Sequence, residues 1–191
     1  MTQALNHKKI AILIADGFEQ VEMTEPRKAL DEAGAQTFII SPNDDTVQGW
    51  NHFDKGDTFP VDVPVNSANP AEYDALLLPG GVANPDQLRV NEKAVQFIQS
   101  FFKAGKPVAA ICHAPWTLIE AEIVKGRQIT SWPSLQTDLR NAGAQWVDQE
   151  VVTDNGLVTS RKPQDIPAFN RAIVAAFAVD RQQEQQLSSV R

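Results

Sequence analysis

The sequence predicts an α/β fold in which a mostly parallel sheet is covered by helices on both faces. Three observations carry that expectation. Short apolar runs alternate with helical stretches that close on glycine through most of the 191 residues. Three of those runs, 8–15 (KKIAILIA), 73–78 (YDALLL) and 108–111 (VAAI), are nearly continuously apolar, as strands buried on both faces require. Each of the three leads into residues with chemical or backbone uses: Asp16 to Glu19, Gly80-Gly81 and Cys112-His113. In open α/β sheets the ligand crevice lies beyond the carboxyl ends of the strands. If the three strands are neighbours, their ends build one pocket.

In chain order, residues 1–7 read as a loose arm and 8–15 as the first strand. A helix is expected from about Glu25 to Ala33, with Pro26 in its first turn and Gly34 ending it. Residues 36–41 (QTFIIS) form the next strand. Between Thr46 and Val65 short alternating pieces around Gly49 and Gly56 predict a small antiparallel excursion. The strand 73–78 then ends at Pro79-Gly80-Gly81, and Asn84 to Asp86 breaks the chain briefly. Glu92 to Ala104 is a helix with an apolar stripe, closed by Gly105. After the Cys112 strand come a helix from about Ala114 to Glu122, a short strand at 128–131 and a helix from Leu135 to Ala142. Residues 150–153 and 157–160 pair across Asn155-Gly156, a strong hairpin signal. A last amphipathic helix covers about 163–179, and 180–191 reads as a frayed tail. With no repeat and no linker, the chain reads as one domain over 1–191.

The net charge of −7, from 17 basic and 24 acidic residues without a basic cluster, makes nucleic acid and anionic membranes poor partners. No apolar run approaches the ~20 residues of a membrane span, and the first residues resemble no signal peptide. The cytoplasm is the expected location. The single cysteine forms no intramolecular disulfide, and His7, His52 and His113 lie far apart in sequence, so no metal site is expected. Neither G-x-G-x-x-G nor a phosphate loop occurs, and no cofactor is expected.

Chemistry concentrates in 107–115 (PVAAICHAP), a buried strand turning sharply into a helix with Cys112 at the corner. A nucleophile on such a corner needs small residues two before and two after it, and Ala110 and Ala114 stand there. The bland alternative is a buried cysteine acting as a small hydrophobe. A helix N-terminus would favour the thiolate. Gly80 and Gly81 can present bare N–H groups to an oxyanion. Glu19, between Phe18 and Val21, is expected to be partly buried and protonated, donating to the Cys112 sulfur or moving protons. His113 follows the cysteine on a turn where adjacent side chains diverge, so it is either a catalytic group or a packing residue. Trp116, one turn on, could line the pocket.

The motifs DGFE (16–19), LPGG (78–81), NEK (91–93), GKP (105–107), AICHAP (110–115) and AGAQWV (142–147) resemble the PfpI family of intracellular proteases and stress proteins. That family belongs to the superfamily of the Parkinsonism-associated deglycase. The resemblance, over about residues 8–178, implies a flavodoxin-like three-layer sandwich of the class I glutamine amidotransferase type, assembled as a homodimer or a ring of dimers. It implies a nucleophile at Cys112, a protonated partner at Glu19 and oxyanion donors near Gly81 and His113. In peptidase-like members the triad acid comes from the neighbouring subunit, at the position matched by Asp86. Those members carry Cys-His-Gly-Pro and a Glu, where this chain has Ala114 and Asp86. Three activities follow as expectations. The first is a glutathione-independent glyoxalase or deglycase acting on small carbonyls such as methylglyoxal, or on glycated adducts. The second is a Cys-His-acid peptidase. The third is a non-enzymatic peroxide sensor with a chaperone-like stress role.

Overall fold

The computed structural model describes residues 4–179. In chain order its elements are β1 (Lys9–Leu13), β2 (Phe18–Glu19), α1 (Gln20–Glu32), β3 (Gln36–Ser41), β4 (Thr46–Asn51), β5 (Asp54–Pro60), β6 (Val63–Pro64) and β7 (Ala75–Leu78). Next come α2 (Ala83–Arg89), α3 (Glu92–Lys103), β8 (Val108–Ile111), α4 (Pro115–Glu120), β9 (Gln128–Ile129), α5 (Gln136–Asn141) and β10 (Gln145–Trp146). The chain closes with β11 (Val151–Asp154), β12 (Leu157–Ser160) and α6 (Ile166–Ala178). A seven-stranded sheet runs in the order β11-β12-β8-β7-β1-β3-β6, and all its pairs are parallel except β11 with β12. The strands β8, β7 and β1 are consecutive, so the three chemically marked strand ends stand side by side.

Period-two alternation sorts the strand residues into two cores. Ala11, Leu13, Leu76, Leu78 and Ala110 face Leu88, Phe97, Phe101 and Leu118 of α2, α3 and α4. Ile10, Ile12, Leu77, Ala109 and Ile111 face Met23 and Leu30 of α1 with Phe169, Ile173 and Phe177 of α6. This is the three-layer arrangement, and the antiparallel excursion is the hairpin β4–β5, with β2 pairing parallel to β4.

Three expectations need correction. Residues 4–7 are no loose arm: Leu5 is fully buried and its N–H donates to the Ala33 carbonyl at 2.9 Å. The first helix begins at Gln20 rather than Glu25, directly after Phe18 and Glu19 pair with Gly49 and Trp50. Pro26 therefore sits inside α1, where packing of Glu22, Met23, Pro26 and Leu30 against the sheet outweighs propensity. Residues 84–86 form the first turn of α2, which accepts Pro85 because N–H groups there lack helical partners. The expected frayed tail lies outside the described residues.

Candidate active site

Cys112 sits at the end of β8 with φ 63°, a left-handed conformation that a cysteine seldom adopts. The turn is pinned on both sides. The Cys112 N–H donates to the Ser160 carbonyl at 3.1 Å, and its carbonyl accepts from the Trp132 N–H at 2.9 Å. Ala110 and Ala114 are buried on either side, which accounts for the small-x-Cys-x-small spacing. A strained conformation held this firmly is of the kind that clusters at functional sites.

The carboxyl beside the thiol is Glu22, not Glu19. Glu22 is fully buried on the first turn of α1; its Oε2 accepts the Gly80 N–H at 3.0 Å, and the carboxyl is hydrogen-bonded to Cys112. Its Oε1 has no nitrogen or oxygen partner. Burial raises the Glu22 carboxyl from 4.5 to about 8, opposed by the hydrogen bond to Cys112, with the Glu19 charge adding to the rise. Glu19 ends β2 one turn earlier and faces the hairpin: its Oε2 accepts the His52 N–H at 3.1 Å. The signal that identifies Glu22 is the helical spacing of Glu22, Met23, Pro26 and Leu30, visible once α1 starts at Gln20.

His113 does not diverge from its neighbour. Its Nδ1 lies 3.2 Å from the Cys112 Sγ, its Nε2 is 3.4 Å from the Ser134 hydroxyl, and Trp132 stacks on its ring. Burial lowers the imidazole to about 4, so it is neutral at pH 7 and Nδ1 can accept the thiol proton. Burial also raises the Cys112 thiol well above its ordinary value, with Glu22 adding to the rise and the backbone N–H groups of Gly81 and His113 opposing it. A depressed thiol at a helix start is thus not what the fold provides, since α4 begins only at Pro115 and burial dominates. At neutral pH the site holds a thiol, a protonated acid and a neutral base.

The two glycines divide the work. A Cβ on Gly80 would lie 2.6 Å from the Cys112 Cβ and 2.8 Å from the Ile111 carbonyl oxygen, so only glycine fits between Glu22 and Cys112. Gly81, at φ 82°, turns its N–H toward the Cys112 sulfur. Asn84, unnoticed as a site residue in the sequence, is fully buried behind them. Its side chain accepts from the Ala15 N–H at 2.7 Å and donates to the Pro79 and Gly80 carbonyls at 2.8 and 2.9 Å.

These residues open into a cavity of about 560 Å³. Glu19, Glu22, Cys112 and His113 form its buried end with half-buried Gly81 beside them, and Trp50, His52, Phe53, Val82 and Trp132 form its mouth. Trp116 is not in this lining. It meets the His113 ring edge-on, and its Nε1 donates to Asp138 at 2.9 Å; Trp132 takes the place expected of it. Asp86 is exposed on α2 and also outside the lining, so within one chain it is not brought to His113. Among the described residues no group of three or more His, Cys, Asp or Glu side chains is placed to hold a metal ion, and no helix is long and apolar enough to cross a membrane.

A flavodoxin-like parallel sheet with a strained cysteine at the end of a central strand, flanked by an acid and an imidazole, defines a class of cysteine-centred α/β proteins. The chain belongs to the DJ-1/PfpI family, whose model matches residues 8–176. It is 46% identical over 167 residues to protein/nucleic acid deglycase 2 of Escherichia coli, covering 86% of this chain and 94% of that protein. General stress protein 18 of Bacillus subtilis is 46% identical over 170 residues, covering 88% and 96%. In fold the chain is similar to Drosophila melanogaster DJ-1beta, with a TM-score of 0.81 at 24% identity over 96% of this chain and 97% of that one.

Proposed function

We propose that this chain is a glutathione-independent glyoxalase and deglycase that acts on small reactive carbonyls such as methylglyoxal in a stress response. The observation that carries this reading is the Cys112 thiol, 3.2 Å from a neutral imidazole and hydrogen-bonded to a carboxyl kept protonated by burial. In the first step a bond forms between Sγ and the aldehyde carbon, the thiol proton passes to His113 Nδ1, and the carbonyl oxygen takes a proton from Glu22. The product is a hemithioacetal. The proton on its carbon then moves to the neighbouring carbonyl carbon through an enediol, with the same acid and base exchanging protons. A thioester of lactate results, and water cleaves it to lactate and free thiol, with no net oxidation. For an adduct on an amine, the thiol displaces the amine, which leaves with the thiol proton, and the same hemithioacetal forms. The N–H groups of Gly81 and His113 supply donors beside the reacting sulfur.

The test is lactate formation from methylglyoxal by wild type, Cys112→Ala, Glu22→Ala and His113→Ala. Turnover vanishes in the first variant and falls at least about a hundredfold in the second, the usual scale for a lost acid–base group. His113→Ala retains part of it. Wild type no faster than Cys112→Ala rejects the reading.

The Cys112–His113 contact also suits a peptidase, our second reading. His113 Nε2 faces Ser134 rather than a carboxylate, so the triad acid would have to be Asp86 of a neighbouring subunit in a homodimer or ring. A fluorogenic peptide cleaved by wild type and not by Asp86→Ala supports it. A peroxide sensor is less well served, because the thiol is buried and its pKa raised. We place the protein in the cytoplasm.

A further inference from the structure

We propose that the mouth of this pocket selects substrates whose carbonyl is attached to a planar apolar body, and that Glu19 is the positioning residue that holds this mouth in place. The carbonyl half of the proposal rests on the function proposed above. A three-carbon aldehyde occupies the space of roughly four waters, on the order of 120 Å³. The cavity of about 560 Å³ leaves most of its volume unfilled by such a molecule and lies in the range of sites for much larger ligands.

The unfilled part is apolar and aromatic. Of the five large apolar side chains exposed among the described residues, Phe53, Val82 and Trp132 all border this one cavity, and Phe53 is 93% exposed. Three large apolar groups converging on a reactive thiol are more than the single exposed residues any surface carries. The Trp132 ring is already immobilised, stacked on His113 with its backbone N–H on the Cys112 carbonyl. A planar group seated against it and Trp50 gains contact without further ordering of that ring.

Phe53 and His52 lie at the tip of the β4–β5 hairpin, whose residues 51–55 are all exposed. Two neighbouring side chains tie the hairpin to the site. Glu19 Oε2 accepts the N–H of His52, which stands at φ 58°, and lies 3.7 Å from its Nδ1. Gln20 exchanges two 2.7 Å hydrogen bonds with Asp57 farther down β5. The clasp at the tip itself is therefore Glu19. It acts on the aromatic wall, whereas Glu22 acts on the thiol.

Because Cys112 is the only cysteine in the chain, its labelling reads the pocket independently of any carbonyl activity. The probes are N-phenylmaleimide and N-ethylmaleimide, which share one thiol chemistry and differ in the attached body. Wild type is expected to favour the phenyl reagent over the preference shown by a free thiol, and Phe53→Ala and Glu19→Ala to lower that ratio by about tenfold, the scale of a lost apolar contact. Glu19→Gln keeps an oxygen for the His52 N–H and should retain the ratio. In the same proteins the ratio of kcat/KM for phenylglyoxal to that for methylglyoxal should fall in parallel. Ratios unchanged in Phe53→Ala and Glu19→Ala overturn the proposal, as does a preference no greater than that of a free thiol. A change of oligomeric mass in Phe53→Ala with unchanged ratios overturns it too, and marks the mouth as a contact between copies. Selective labelling without turnover of either dicarbonyl supports the selective mouth and rejects the carbonyl chemistry.

Discussion

Replacing Glu22 by Gln removes a proton-dependent destabilisation whose size and pH range follow from its burial. In the unfolded chain the carboxyl ionises at its ordinary 4.5, and in the folded protein at about 8. Below 4.5 both states hold the proton and pH has no effect through this group. Between 4.5 and about 8 the unfolded chain has released its proton and the folded one has not, so each pH unit lowers folding stability by about 1.4 kcal/mol. Over the whole interval, 8 minus 4.5 at that slope, the loss reaches about 5 kcal/mol. The substituted glutamine cannot ionise, yet its amide still accepts from the Gly80 N–H and donates toward the sulfur.

His113 acts in the opposite sense: lowered from 6.5 to about 4, it adds stability as pH rises between those values. Its slope is common to both proteins and cancels in their difference. Urea unfolding of wild type and Glu22→Gln at fixed protein concentration, from pH 4 to 8, should therefore give a stability difference that grows in the variant's favour by up to about 5 kcal/mol. In wild type itself the two slopes offset each other between 4.5 and 6.5, and stability then declines toward pH 8. A difference equal at pH 5 and pH 8 would refute the assignment of a protonated Glu22.

Further predictions concern the parts around it. Gly80→Ala forces a Cβ against the Cys112 Cβ and the Ile111 carbonyl; it should lose turnover and about 1–3 kcal/mol of stability, read by lactate formation and urea unfolding. Asn84→Ala leaves the Ala15 N–H and the Pro79 carbonyl without their buried partner; a loss of about 1–3 kcal/mol per unsatisfied group is expected, with slower Cys112 labelling than in wild type. Leu5→Ala should cost about 2–5 kcal/mol, as for a core leucine; a change below about 0.5 kcal/mol in urea unfolding would restore the loose-arm reading of residues 4–7. If neutral His113 is the base, kcat/KM for methylglyoxal should hold from pH 7 down to about 5 and fall only as the imidazole protonates near 4.

The strand pattern was legible because apolar runs and glycine stops are local signals. Residues 8–15, 73–78 and 108–111 announce buried strands by composition, and Asn155-Gly156, with both residues at positive φ, announces the β11–β12 turn. The Cys112 corner was legible as well, since the small residues at 110 and 114 are a local steric requirement. The start of α1 was not. Nothing local says that Phe18 and Glu19 pair with β4, a partner some thirty residues downstream, and that pairing sets the helix phase. A helix starting at Glu25 leaves Glu19 as the best carboxyl for the thiol; one starting at Gln20 turns Glu22 inward and Glu19 toward the hairpin.

Local pattern was enough for the fold class, the cysteine corner and the glycine stops, because each depends on periodicity or on the space around one residue. The side-by-side placement of β8, β7 and β1, the buried acid Glu22, the 3.2 Å approach of His113 and the choice of Trp132 over Trp116 in the pocket emerge only once the chain has packed. Those depend on which way a side chain points after distant segments have packed, and on the burial that follows, and no local pattern encodes either.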